Sequence, residues 1–300
     1  MSIERMSKAT CSQVSRPDLD SAYRACQATV RQHDPDRYAA CLFAPGALQP
    51  ALFALFAFNS EIARIRELVS EPMPGEIRHQ WWREALCCQG RGEEARTHPV
   101  ALALKDTLLR YRLPPEPLLA LVEARSFDLY DDPMPTWLDL EGYCGETSSA
   151  LIRLATIILA EGEDAGSADL CGHAGVAYAI TGLLRAFPIH ARRQQCYIPH
   201  EALIACGLDV DDIHEGRDSD NLRAVLAAMR ERARAHFDQV RGRIGELDPR
   251  IRAAFLPVCL CPTYLEAMER PDYQPFHSRI DISPLRRLFI LGRSAWRARR

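Results

Sequence analysis

The sequence predicts an all-α fold built as one large helical bundle. Apolar residues recur at helical spacing along almost the whole chain, and no strand-length alternation of apolar and polar residues stands out. Of the 300 residues, 47% are hydrophobic and 26% are charged, which is enough for a large core. No repeat, low-complexity tract or linker divides the chain. We therefore expect one domain over residues 21–300, preceded by a disordered N-terminus at residues 1–20.

Individual helices can be placed from apolar periodicity and from prolines. A helix is predicted from Pro50 to Ser70, and we expect Pro72 and Pro74 to end it. Segments 149–159 and 172–187 are apolar on nearly all sides, which is typical of helices at the centre of a bundle. Further helices are expected from Glu76 to about Cys88 and from Pro117 to before Pro133, with loops at 90–92, 114–115, 162–166 and 209–220.

Two later segments, 221–245 and 284–300, are amphipathic and basic. One interpretation is that they rest on an anionic membrane surface. The other is that their apolar sides pack on the core while the arginines face solvent. No run of about 18 apolar residues is present, so no segment is expected to span a membrane. The N-terminus also lacks the apolar stretch of a secretory signal.

Net charge and cysteine spacing give no support for two kinds of site, a nucleic-acid interface and a zinc site. The formal net charge of −3 gives no reason to expect binding to nucleic acid. The 11 cysteines are scattered and form no Cys-x-x-Cys pair, so they do not predict a zinc site. Free thiols in that number fit a reducing compartment.

Several segments in succession resemble the squalene/phytoene synthase family. The resemblance spans roughly residues 20–295, and it implies an isoprenoid (prenyl) synthase-type helical bundle with a central cavity. It also implies that Phe58, Trp82, Asp128, Tyr143 and Tyr197 line that cavity. The segments are Asp36-Arg37-Tyr38, the apolar run 52–58, Trp81-Trp82-Arg83, Phe127-Asp128-Leu129, Leu140, Tyr143-Cys144, the run 181–185, Tyr197-Ile198-Pro199 and Arg287-Leu288.

The resemblance also shows where the chain departs from active members of the family. Those enzymes join two prenyl diphosphates head to head, and magnesium held by two aspartate motifs stabilises the departing diphosphate. Here Ala63 and Arg64 occupy the first aspartate positions, and Glu67 alone keeps a carboxylate. The second motif falls on Ala186 and His190, and we expect Pro188 between them to disturb the helix face.

No catalytic residue, metal site or cofactor is therefore predicted, and magnesium would be needed only if the chain were a transferase. Two pairs of acids at i, i+4 spacing are possible substitutes for the lost ligands, since such pairs share one helix face. They are Glu67 with Glu71, and Asp128 with Asp132. We expect neither pair to hold magnesium, since acidic pairs at helix ends are common on solvated surfaces, and we interpret Asp132 as a helix end in contact with solvent.

The same end of the bundle carries several cationic residues. One hypothesis is that they bind the phosphate of an anionic isoprenoid or phospholipid, since arginine binds phosphate through two parallel hydrogen bonds. The alternative is that Arg64 and Arg185 pair with Glu67, Asp128 or other acids and lock an empty bundle. The candidate pocket residues are Arg64, Glu67, Arg185, His190, Arg192 and Arg193.

The pattern of lost aspartates resembles the branch of the family that contains the mitochondrial complex I assembly factor. The run 181–188, with His190 and Tyr197-Ile198-Pro199, carries this resemblance. It implies a non-catalytic protein that supports assembly of respiratory NADH:ubiquinone oxidoreductase, with complex I subunits or assembly proteins as partners. It would lie in the cytoplasm, with peripheral contact at the inner membrane. An active head-to-head prenyl diphosphate transferase and a pure protein-interaction scaffold remain as alternatives.

Overall fold

The computed structural model describes residues 16–87 and 97–297, and within these ranges every regular element is helical, as the sequence predicts. The predicted loop at 90–92 and residues 1–15 of the expected disordered N-terminus lie outside the described residues. Residues 16–20, which we expected to be disordered, form the start of the first helix. The α-helices are α1 (Arg16–His33), α2 (Pro35–Cys41), α3 (Gln49–Ala63), α4 (Pro72–Cys87), α5 (Pro99–Tyr111), α6 (Glu116–Ala124), α7 (Trp137–Cys144), α8 (Ala150–Leu159), α9 (Ala168–Arg192), α10 (His200–Ala205), α11 (Val210–His214), α12 (Asp220–Arg241), α13 (Cys261–Ala267) and α14 (Pro284–Arg297).

Shorter helical segments connect these elements. The 3₁₀ segments are Ile65–Leu68, Arg125–Leu129, Ile244–Glu246 and Arg252–Leu260, and a π-helical turn at Gly145–Ser149 leads into α8. The core forms two clusters. In the first, α1 packs on α3 and α5, and the second lies largely between α9 and α12. Segment 252–260 contributes to both clusters and so joins the two halves of the bundle.

Helix α9 runs through the centre of the bundle. It packs on α12 and also contacts α8, the π-helical turn and segment 252–260. By length and composition alone α9 is apolar enough to cross a membrane, but 56% of its apolar stretch is buried inside the protein. Burial against several helices explains this composition, because a central helix must be apolar on most sides.

The prolines near residue 72 have a different role from the predicted one. Helix α3 ends at Ala63 and is followed by the 3₁₀ segment 65–68, so the predicted helix from Pro50 to Ser70 is too long. Pro72 begins α4 instead of ending α3. Proline is well suited to the first turn of a helix, where its missing N–H would have no partner and its φ already matches the helix.

Pro188 also differs from the prediction, since α9 continues through it to Arg192 without interruption. Phe187, Pro188 and Ala191 are buried in the second core cluster or beside it. This packing offsets the loss of one backbone hydrogen bond. The helix predicted over 221–245 was too long, because α12 ends at Arg241 and not near residue 245.

A buried carboxylate at the start of α2 joins distant parts of the chain. Asp36 is 2% exposed and accepts hydrogen bonds from Arg287 Nε at 2.6 Å and from Arg185 Nη1 at 2.9 Å. The Tyr264 hydroxyl also donates to it, at 2.8 Å. The Arg185 guanidinium lies 3.7 Å from the centre of the Tyr264 ring. One side chain of α2 therefore holds α9, α13 and α14 together.

Replacing Asp36 with alanine is expected to lower the free energy of unfolding by about 3 kcal/mol, because the buried Arg287 would keep only Asp281, which is 45% exposed, as its counter-charge. Urea denaturation followed by circular dichroism measures this. Glu163→Ala is the matched control, since Glu163 pairs with Arg250 at the surface, where ion pairs contribute little. Equal effects of the two substitutions would contradict the structural role of Asp36.

Candidate functional site

Three of the predicted pocket residues meet where the end of α3 approaches the end of α9. Glu67 accepts a hydrogen bond from Arg193 Nη1 at 3.2 Å, and its other oxygen lies 3.6 Å from Arg64 Nε. Arg64 Nη1 also lies 2.9 Å from His33 Nε2. Burial and the nearby Arg64 charge lower the pKa of His33, so its neutral ring accepts this bond. These side chains are partly exposed, and the two arginines outnumber the one carboxylate.

His190 lies one turn before Arg193, between this cluster and a second one. Its ring stacks at a tilt on Tyr197, with 4.6 Å between the ring centres. Burial lowers the pKa of His190 to about 4; Asp128 and Glu67 act to raise it, and Arg193 and Arg125 act to lower it. At neutral pH the imidazole is therefore uncharged.

Asp128 organises the second cluster, which is buried. The hydroxyls of Tyr143 and Tyr197 both donate to Asp128 Oδ1, at 2.8 and 2.7 Å. Arg125 Nη1 donates to Asp128 Oδ2 at 2.9 Å and to the Tyr143 hydroxyl oxygen at 2.7 Å. Burial raises the pKa of both tyrosines well above the usual value, so they act as hydrogen-bond donors. The structure thus brings three predicted cavity-lining residues together.

The other two predicted pocket residues take no part in the contacts of these clusters. Arg185 takes part in the Asp36 network and also lies 3.8 Å from Asp281, so its partners are neither Glu67 nor Asp128. Arg185 is therefore paired with an acid, as one of the two hypotheses has it, but the acid is Asp36, which the sequence did not single out. Arg192 is exposed, and no hydrogen bond or ion pair involves it within the described residues.

Phe58 and Trp82 lie in a different part of the core from Tyr143 and Tyr197. Phe58 is fully buried and contacts Trp82 edge to face, with ring centres 5.2 Å apart. Both belong to the first core cluster, whereas Tyr143 and Tyr197 belong to the second. The pocket beside His190 and Tyr197 has a volume of only about 10 Å³, so side chains would have to move before a prenyl chain could enter there.

Sequence reasoning missed several buried charged residues of the interior. Arg125 was detectable from its i, i+3 spacing to Asp128. Asp36 and Arg287 lie in segments that carried the family resemblance, but their pairing across the chain has no local signal. Arg37 is also buried. It bonds Asp34 at 3.0 Å, and its guanidinium lies 4.7 Å from the centre of the Tyr178 ring.

The donor set at the family's metal positions does not fit magnesium. Magnesium requires several oxygen ligands, chiefly carboxylates. Glu67 is the single carboxylate at these positions, and Arg64 and Arg193 already pair with it. Within residues 16–87 and 97–297 no group of three or more His, Cys, Asp or Glu side chains is arranged to hold a metal ion.

The two possible substitute pairs do not lie on shared helix faces. The 3₁₀ segment after α3 ends at Leu68, so Glu67 and Glu71 do not share a helix face. The same holds for Asp128 and Asp132, because the 3₁₀ segment ends at Leu129 and Asp132 is exposed while Asp128 is buried.

A sequence model of the squalene/phytoene synthase family matches residues 30–286. The chain belongs to the squalene/phytoene synthase family. Its resemblance segments and its helical architecture agree with this assignment, because the solved structures of the family's enzymes superimpose on it over most of their length.

Named relatives include proteins with different functions. The chain is 27% identical over 288 residues to NADH dehydrogenase (ubiquinone) complex I, assembly factor 6, from Rattus norvegicus, covering 95% of this chain and 85% of that protein. It is 26% identical over 295 residues to 15-cis-phytoene synthase from Synechococcus elongatus, covering 93% of this chain and 94% of the enzyme. Identity alone therefore does not separate an assembly factor from a synthase.

Solved structures of the family show the same fold. The squalene synthase HpnC from Alicyclobacillus acidocaldarius superimposes with a TM-score of 0.72 at 26% identity, covering 87% of this chain and 98% of that one. A dehydrosqualene synthase superimposes with a TM-score of 0.79 at 15% identity, covering 94% and 98%. The second likeness concerns the fold alone, given its low identity.

The depressed pKa of His190 predicts an acid-sensitive stability. In the unfolded chain the pKa of histidine is about 6.5, so between pH 6.5 and about 4 the unfolded state binds more protons than the folded state. The contribution of His190 to stability is thus present above pH 6.5 and is lost as the pH falls. We expect a loss on the order of 2 kcal/mol between pH 7 and pH 5.

Urea denaturation at both pH values, with His190→Gln beside the wild type, measures this loss. His190→Gln should reduce the pH dependence, because the glutamine does not titrate. His277→Gln, at an exposed histidine, should leave it unchanged. A His190→Gln protein with the full pH dependence would contradict the depressed pKa.

Proposed function

We propose that this chain does not transfer prenyl groups and acts as an assembly factor for respiratory complex I. The observation that carries the proposal is the pairing of Glu67 with Arg64 and Arg193, at the place where active family members hold magnesium. At this place two arginines lie beside the one carboxylate that the metal positions retain.

The chemistry of prenyl transfer explains why this charge matters. Departure of diphosphate leaves an allylic cation and needs strong stabilisation of the leaving group, which magnesium provides in the family. Two fixed arginines repel a divalent cation from Glu67, and the neutral imidazole of His190 replaces an acid of the second motif. A diphosphate could still bind to the arginines, but its departure would lack the metal.

Several relatives support the assembly role. Complex I assembly factor 6 from rat, mouse, human and cattle, and its Drosophila melanogaster homologue, are each 26–28% identical to this chain over at least 84% of its length. The phytoene synthase relatives support the alternative of an active transferase. The replaced metal ligands favour the assembly role over the transferase.

A second candidate function is binding of an anionic isoprenoid or phospholipid headgroup by Arg64 and Arg193, with Arg192 beside them. The excess of arginine over carboxylate favours it, since guanidinium groups suit phosphate. The small pocket beside His190 favours a different alternative, a pure interaction scaffold whose interior is filled by side chains.

The absence of prenyl transfer is testable with purified protein. Incubation with farnesyl or geranylgeranyl diphosphate and magnesium should release no pyrophosphate above the protein-free rate, because Glu67 cannot recruit the metal. An active squalene synthase serves as the positive control. Release that Glu67→Gln abolishes would contradict the proposal and support the transferase.

In cells, deletion of the gene should reduce respiratory NADH oxidation and leave isoprenoid content unchanged.

We also propose a peripheral position on the inner membrane through α14. This helix presents large apolar side chains to solvent: Leu285 is 82% exposed, Phe289 69% and Trp296 54%. Its other side buries Arg287 and Leu291 against the core. An outward apolar stripe on a docked helix is typical of contact with a lipid surface.

Charge supports the same interpretation for α14. Arg286, Arg293 and Arg297 are exposed beside the apolar stripe, and the segment 284–300 contains no acid. Helix α12, the other predicted membrane-surface candidate, differs. Its apolar side chains, among them Leu222, Leu226 and Met229, are buried, and the helix packs on α9. The membrane hypothesis therefore concerns α14 alone.

Flotation with anionic vesicles tests this contact. The double variant Leu285→Ser with Phe289→Ser should bind at least about tenfold more weakly than the wild type, since burial of each side chain in the interface contributes more than 1 kcal/mol. Ile77→Ser with Leu138→Ser is the matched control, because these residues are equally exposed on other helices. Unchanged flotation of the α14 variant would contradict the membrane role.

A further inference from the structure

A second arginine-lined pocket lies away from the candidate site. It opens between α12 and the segment that follows α13, and its volume is about 260 Å³. None of the predicted site residues lines it. Its polar walls are Arg223, Arg230, Arg270 and Glu269, and Met268 and Tyr273 are among its less polar walls.

Arg230 is the unusual residue of this pocket. Its side chain is 12% exposed, and its Nε atom is buried without a hydrogen-bond partner. The nearest acidic oxygen, from Glu269, is 3.8 Å from Nε, which is too far for a hydrogen bond. Within the described residues no hydrogen bond involves the Arg230 side chain. A buried N–H group without a partner is costly because it has lost its water, and the Nε–H of Arg230 is such a group.

The neighbouring acids are already paired with other arginines. Glu269 accepts a hydrogen bond from Arg234 Nη1 at 2.6 Å. Arg223 donates to Asp218 at 2.6 Å and to the Tyr273 carbonyl oxygen at 3.3 Å. Burial lowers the pKa of Arg230, and the attraction of Glu269 only partly opposes this. Among the residues that line the pocket, three arginines therefore face one acid, and Arg234 also bonds that acid.

Helical spacing places the arginines so that they can act together. Arg223 and Arg230 are two turns apart on α12 and face the same pocket, and Arg270 lies on the opposite wall. Leu226, between the two arginines, and Met268 form apolar surface beside the charges. A ligand that carries a compact anionic group and a less polar part would contact the arginines with the first and the apolar surface with the second.

We propose that this pocket binds a phosphate group through Arg230, assisted by Arg223 and Arg270. The planar guanidinium forms paired hydrogen bonds with phosphate oxygens and would thereby gain the partners that it lacks. Phosphate would reach the pocket either free, as inorganic phosphate or a small ester, or as a phospholipid headgroup. The proposal is independent of the complex I role and of the Glu67 cluster, because it uses none of their residues.

Thermal unfolding of the full chain tests the free form. Inorganic phosphate at about ten times its Kd should raise the Tm by roughly 2–4 °C compared with chloride at the same ionic strength. The increase should disappear in Arg230→Gln and in Arg230→Met. It should persist in Arg241→Gln, which removes the same charge from an exposed position of α12 outside the pocket.

A second arm tests the headgroup. Flotation with vesicles that contain phosphatidic acid, compared with vesicles that contain phosphatidylcholine alone, should depend on Arg230 if the source of phosphate is lipid. The ligand-free Tm gives a further readout. If Arg230 serves only to stabilise the fold, both substitutions lower this Tm, whereas a binding residue with an unbalanced charge leaves it equal or higher.

The proposal is supported if both Arg230 variants lose the response to inorganic phosphate or to phosphatidic acid while Arg241→Gln keeps it. The response that is lost identifies whether the phosphate group comes from a free ligand or from a lipid. A response that both variants retain, or no response to either form of phosphate in the wild type, overturns it.

Discussion

The pairing of Asp36 with Arg185 and Arg287 is the interaction on which the arrangement of this bundle depends. It connects α2 to α9 and α14 across 149 and 251 residues of sequence. A buried ion pair of this kind adds little stability compared with apolar packing, but it is costly to break, so it selects one arrangement of helices over others. Because Arg185 is held in this network, it is not available to a ligand in the way the sequence suggested.

The interior repeats this pattern of arginine paired with carboxylate. Arg37 pairs with Asp34 and Arg125 pairs with Asp128, each at about 3 Å. In an active prenyl synthase the acids at the site must remain available for metal ions, whereas here the buried acids are bound by arginines and tyrosines. The charge distribution is therefore that of a structural network.

The two surfaces for which we propose binding roles both lie in the C-terminal half of the chain, outside this network of ion pairs. Helix α14 is fixed to the core by Arg287 and Leu291, which leaves its apolar stripe and arginines facing outward. The Arg230 pocket forms where the segment after α13 approaches α12. The two surfaces differ in chemistry, one amphipathic and one cationic and concave, which is why we propose a membrane contact for the first and phosphate binding for the second.

The helical architecture was predictable from the sequence because helix periodicity is local: the spacing of apolar residues along α3, α8 and α9 suffices to recognise a helix. The loss of the metal ligands at Ala63, Arg64, Ala186 and His190 was equally visible in the sequence, once the resemblance had aligned the motifs. Helix ends were less predictable, as Pro72 and Pro188 show, because a proline can begin a helix or be tolerated within one when packing offsets its cost.

Only the tertiary structure decided which charges meet. Arg185 pairs with Asp36, Asp128 binds two tyrosines from other elements, and Phe58 lies in a different core cluster from Tyr197. The missing hydrogen bond at Arg230 Nε is of the same kind, since Glu269 bonds Arg234 and lies 3.8 Å from that Nε. Electrostatic partners and desolvation depend on distances between residues far apart in the chain, and no local pattern in the sequence encodes those distances.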